Sequence, residues 1–101
     1  MVPCLVTDAA HGYPDERRNR AERDMFVISI GAAMQNFMVA LAVEGLGSCY
    51  ISSALFCPDV AAATMGLPAG WQPMGAIGIG HAAAAPKPRP PRSAGDFILT
   101  L

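Results

Sequence analysis

Between Met25 and Pro86 the sequence carries only two charged side chains, Glu44 and Asp59. A surface so poor in charge does not coat an independent domain in water. It calls for other protein against it, as a large oligomer interface or as part of a longer polypeptide, or for lipid. The whole chain of 101 residues is only 15% charged, against roughly 25% in ordinary soluble domains, and its formal net charge is -1. No broad basic field is present to attract nucleic acid. Three cysteines, none paired at redox or metal spacing, exclude a disulfide framework and point to a reducing, cytoplasmic compartment. Met1–Thr7 is too short and lacks the basic start of a signal peptide.

Side-chain chemistry is sparse too. His11 and His81 have no acid–nucleophile grouping near them in sequence, and Cys49 and Cys57 are too far apart for a CxxC pair. No cluster has metal-ligand spacing. What the chain does have is apolar residues, 52% of the total, which excludes disorder over its whole length.

Val2–Thr7 reads as a short strand covered on both faces, followed by a polar loop at Asp8–Arg18. A long helix is expected from Asn19 to Glu44. The stretch Asn19-Arg20-Ala21-Glu22 resembles a capping box, and Gly45 suits the left-handed residue that ends a helix. Met25–Val43 is uncharged and long enough to be weighed as a membrane span. Ser29, Gln35 and Asn36 near its middle favour a buried central helix of a soluble protein, because each amide needs a partner.

Leu46–Ser53 reads as a tight turn leading into a strand-like stretch. Pro58–Met65 reads as a short helix ended by Gly66, and Leu67–Pro73 as a turn carrying Trp71, the single tryptophan. Met74–Gly80 reads as a second buried strand thinned by glycines. Residues 82–101 form an extended Pro/Ala-rich arm, with Phe97–Leu101 able to add as an edge strand.

Two features offer binding chemistry. The Gly-rich turn Gly45–Ser53 reads either as a helix cap followed by a strand or as exposed main chain facing a planar cofactor. Lys87-Pro88-Arg89, with Arg92 behind, reads either as a solvated basic tail or as a phosphate clamp. Guanidinium can give a phosphate two parallel N–H bonds, and the prolines reduce the entropy lost on ordering.

Gly31–Met38 (GAAMQNFM), Ala42–Tyr50 (AVEGLGSCY) and Leu67–Gly80 (LPAGWQPMGAIGIG) resemble, in that order, the C-terminal half of flavin-dependent nitroreductases. His11–Arg18 (HGYPDERR), Glu22–Phe26 (ERDMF) and Gly47–Phe56 (GSCYISSALF) resemble more narrowly the nitroreductase-like C-terminal domain of coenzyme F420:L-glutamate ligases. The resemblance implies an α+β fold, the C-terminal half of a nitroreductase-like domain, with a long central helix packed with a small sheet. It implies that residues 1–101 are a partial domain without its N-terminal half. It also implies a homodimer with FMN at the subunit interface, no membrane or nucleic-acid partner, and a small-molecule substrate such as an F420 precursor.

By the same resemblance, the main chain of Tyr50, Ile51, Ser52 and Ser53 lies against the flavin ring, and Lys87 and Arg89 hold its phosphate. Family members often have Trp where Tyr50 stands and Gly near Ser52–Ser53. No catalytic side chain is expected, since the flavin carries the reaction. The alternative is a non-catalytic dimerisation fragment that does not bind flavin alone.

Overall fold

The computed structural model of the chain describes residues 1–85 and 87–98. The elements run β1 (Cys4–Val6), α1 (Glu16–Val43), β2 (Gly47–Ile51), a 3-10 turn (Ser53–Leu55), α2 (Pro58–Thr64), β3 (Trp71–Pro73), β4 (Ala76–Gly80) and a second 3-10 turn (Ala94–Asp96). The fold is α+β: one long helix and two small antiparallel sheets, β1–β3 and β2–β4.

The helix α1 starts earlier than Asn19. Asp15 is its N-cap, in extended backbone, and its carboxylate accepts from the Arg18 N–H at 2.9 Å. Asn19 is diverted from capping. Its side chain closes a two-way bridge with the main chain of Tyr13, accepting from the N–H at 2.8 Å and donating to the carbonyl at 3.1 Å. Glu22 is likewise held by His11. Both members of the expected capping box are therefore occupied by the Asp8–Pro14 loop.

The other end of α1 follows the sequence. Gly45 takes φ +77° after the cap residue Glu44, the Leu46 N–H reaches the Leu41 carbonyl, and the Gly45 N–H reaches Ala42. This is a Schellman closure. Gly66, at φ +63°, ends α2 with the same pair of bonds, from Leu67 to Ala62 and from Gly66 to Ala63.

The strands are shorter than their apolar runs. β1 has only Leu5 buried, so the expected two-sided cover is not present within one chain. Trp71–Pro73 is a strand rather than part of a turn. The turn is confined to residues 68–71, where the Trp71 N–H reaches the Pro68 carbonyl and Gly70 supplies φ +83°. Pairing Val6 with Trp71 and Cys4 with Pro73 then becomes possible. β4 begins at Ala76 rather than Met74, because Gly75 turns the chain at φ +105°. Ile77 on β4 is 1% exposed, but Ile79 on the same strand face is 44% exposed.

The first residues connect the two sheets. Met1 exchanges main-chain bonds with Ile77, and the Met74 N–H donates to the Pro3 carbonyl at 2.8 Å, just ahead of the β1–β3 ladder. The buried core is small: Leu5, Pro73 and Ile77. The Cα radius of gyration is 17.1 Å, where a compact domain of this length has about 13 Å.

No residue of α1 is buried within the single chain. The expected buried central helix is thus a helix without its cover: Met25, Ile28, Val39 and Val43 are each more than half exposed. By length and composition α1 could also cross a membrane, a test that core helices of soluble proteins pass as well. Lys87 to Pro91 have no regular structure. Phe97 closes the second 3-10 turn rather than opening a strand, and Leu99–Leu101 of the expected edge strand lie outside the described residues.

Candidate functional site

Tyr50 and Ile51 end β2, and Ser52 and Ser53 lead into the 3-10 turn. Pairing of β2 with β4 runs from Gly47↔Gly80 to Ile51↔Ala76. Among the described residues β4 is the only strand paired with β2, so the main-chain groups along its far edge are not bonded to another strand. Tyr50, Ile51, Ser52 and Ser53 are all exposed. The small serine side chains leave that main chain approachable.

The Tyr50 side chain turns away from this edge. Its hydroxyl donates to the Met74 carbonyl at 2.9 Å, and its ring lies over Gly75. Lys87 and Arg89 are exposed on the arm, and no hydrogen bond or ion pair ties them to the end of β2 among the described residues. Tyr50 and Ile51 thus lie on the strand and Ser52 and Ser53 just beyond it, while Lys87 and Arg89 lie on the arm. The donor set fits a flavin in kind, with main-chain groups for the ring edge and two cations for a phosphate.

A second polar group lies at the N-terminal part of α1. His11 donates its main-chain N–H to Glu22 Oε1 at 3.2 Å, and its Nδ1 lies 2.9 Å from the same oxygen. These bonds hold the Glu22 carboxyl below its ordinary range. Arg18 does the same to Asp15, through its main-chain N–H first and its guanidinium second. The Arg18 guanidinium also lies 5.4 Å from the centre of the Tyr13 ring. Arg23 donates to Gln72 Oε1 at 3.2 Å, tying α1 to β3.

A cleft of about 260 Å³ lies beneath this loop, between Leu5, Phe26, Glu22 and Gln72. Sequence spacing gives no warning of the His11–Glu22 pair, because an irregular loop and not a helical repeat brings them together. Cys49 and Cys57 are exposed free thiols, and burial pushes the half-buried Cys4 thiol up. No group of His, Cys, Asp or Glu among the described residues has the arrangement of a metal site.

The model of the nitroreductase family matches residues 2–81, from β1 through β4. This match supports a flavin-oxidoreductase-like domain, and the long helix with two small antiparallel sheets agrees with it. The chain belongs to the nitroreductase family. That family generally uses FMN and commonly forms homodimers. The match takes in Tyr50–Ser53 and ends before Lys87 and Arg89.

Proposed function

We propose that the chain is part of an FMN-dependent oxidoreductase acting as a homodimer. The family match over residues 2–81 carries this reading. Tyr50, Ile51, Ser52 and Ser53 would meet the ring through their main chain, and Lys87 and Arg89 would hold the phosphate as charge-assisted donors. When bound, the flavin supplies hydride transfer between a donor such as a reduced nicotinamide and an acceptor. The chain's own part is to bind, to orient and to exclude water. A second chain supplies the cover that α1 lacks and the dry side of the site. We read residues 1–101 as a partial nitroreductase-like domain, with 82–101 as its arm, working in the cytoplasm.

The narrower proposal is a role in coenzyme F420 biosynthesis, as the nitroreductase-like domain of an F420:L-glutamate ligase that reduces a dehydro precursor of F420. The stretches His11–Arg18, Glu22–Phe26 and Gly47–Phe56 support it by likeness. Fluorescence titration of FMN with the chain tests the broader reading, and saturable quenching is expected. Incubating the flavin-loaded, reduced protein with the dehydro precursor tests the narrower one, and mass spectrometry should show the gain of two hydrogens. A folded chain that leaves FMN fluorescence unchanged selects the second reading, a dimerisation fragment without flavin.

A further inference from the structure

We infer that Tyr50 and Gly75 form a lock that sets the position of the Tyr50–Ser53 main chain, making Gly75 a positioning residue for the flavin ring; its role toward the ring rests on the flavin reading above. The residues that follow Tyr50 are otherwise held through their main chain, by the last pair of the ladder at Ile51 and by the 3-10 turn in which the Ser52 and Ser53 carbonyls accept from Leu55 and Phe56. Ile51, Ser52 and Ser53 are exposed, and the Ser52 side chain makes no capping bond. The ladder to β4 stops at Ile51↔Ala76.

Tyr50 fixes this strand end at a well-anchored place. Its hydroxyl bonds the Met74 carbonyl, while the Met74 N–H is bonded to Pro3 and the Ile77 N–H to Met1. The link between β3 and β4 is therefore tied on both sides of Gly75. A Cβ added at Gly75 would lie 2.5 Å from Tyr50 Cε2, 2.8 Å from the Tyr50 hydroxyl and 2.9 Å from the Ile51 carbonyl oxygen. At φ +105° the backbone also disfavours any side chain. Glycine here lets the phenol ring rest directly on main chain, and the strand end follows the ring.

Amide hydrogen exchange on the full chain reads the lock without any flavin. In Tyr50→Phe the amide of Ile51, in the last pair of the β2–β4 ladder, should exchange about fivefold faster, the effect of one net hydrogen bond. Amides of α2 should be unchanged. Gly75→Ala should have the same local pattern with a larger effect. Fluorescence titrations then read the ring: Tyr50→Phe should weaken FMN and riboflavin by the same factor, because both carry the ring.

Unchanged exchange at Ile51, or a uniform rise across the chain, overturns the lock. Local loosening with both flavin affinities unaltered overturns its role toward the ring. Failure of the unaltered chain to bind either flavin overturns the flavin reading and that role with it, while exchange still decides the lock.

Discussion

His11 presents both its main-chain N–H and its ring Nδ1 to a single oxygen of Glu22, at 3.2 and 2.9 Å. The imidazole is 76% exposed and the carboxylate only 13%. The Asp8–Pro14 loop is thereby buttoned to α1 through an acid held beneath its own backbone. Asn19 makes a second button with Tyr13 one turn earlier.

The pH dependence of this contact follows from its sign. Glu22 is lowered when folded, chiefly by the His11 side chain, so its contribution to stability is complete above the ordinary glutamate range. It is lost as pH falls through the lowered value. The His11 amide chemical shift should therefore titrate in acid, with a midpoint below that of a free glutamate. Glu22→Gln should remove the titration. A His11 shift that is flat in the unaltered chain would contradict the pairing.

The two candidate caps of α1 separate cleanly by mutation. Asp15→Ala removes the acceptor of the Arg18 N–H and should lower the thermal midpoint by several degrees, with helicity lost from the first turn. Asn19→Ala should leave the first turn helical and loosen Tyr13 instead. Circular dichroism with residue-resolved exchange distinguishes the two. Equal fraying of the first turn in both variants would restore Asn19 as the cap.

Glycine has opposite worth at two positions of the same helix. Gly31→Ala in the exposed interior of α1, with nothing within 4 Å of the added Cβ, should stabilise by about 0.5–1 kcal/mol. Gly45→Ala, also with open space but at φ +77°, should destabilise by about 1 kcal/mol. Denaturant unfolding measures both. The contrast isolates backbone conformation, because neither added methyl meets a neighbour.

The phosphate assignment has its own signature. Charged hydrogen bonds are worth roughly 1.5–3 kcal/mol each. Arg89→Ala should thus weaken FMN about tenfold to a hundredfold and leave riboflavin, which lacks the phosphate, nearly unchanged. Arg92→Ala should matter less. Equal weakening of both flavins by Arg89→Ala would make the residue structural.

Self-association follows from the bare helix. With Met25, Ile28, Val39 and Val43 exposed together on α1, the chain should sediment as a dimer or larger species at micromolar concentration. Ile28→Asp should shift it toward monomer. A well-folded monomer of the unaltered chain would count against the homodimer.

Much of the fold is legible in the sequence because local chemistry decides it. Gly45 and Gly66 mark helix ends that only a residue free to reach positive φ can close in this way, and Pro58 opens α2 where its missing N–H costs nothing. What sequence spacing hides is competition for the same polar side chain. Asn19 and Glu22 have the right order for a cap, yet loop residues Tyr13 and His11 take them, and Asp15 is left to do the capping. Trp71 reads as turn because its partner Val6 lies far back in the chain. The site is legible only in part. Tyr50 and Ile51 end a strand and Ser52 and Ser53 follow it, whereas Lys87 and Arg89 lie on an arm without regular structure, where no local pattern fixes a position.

The bridge from the first residues to both sheets has a temporal meaning. Met1 bonds Ile77, a closure across nearly the whole described chain, and Cys4 waits for Pro73. Neither sheet edge is completed until residues beyond 70 have left the ribosome. Such long-range closure slows folding, while the local helix forms early. Between the synthesis of α1 and that of β3 and β4, the exposed apolar residues of α1 lack the β1–β3 and β2–β4 sheets, and that interval is when this chain is most exposed to the wrong neighbour.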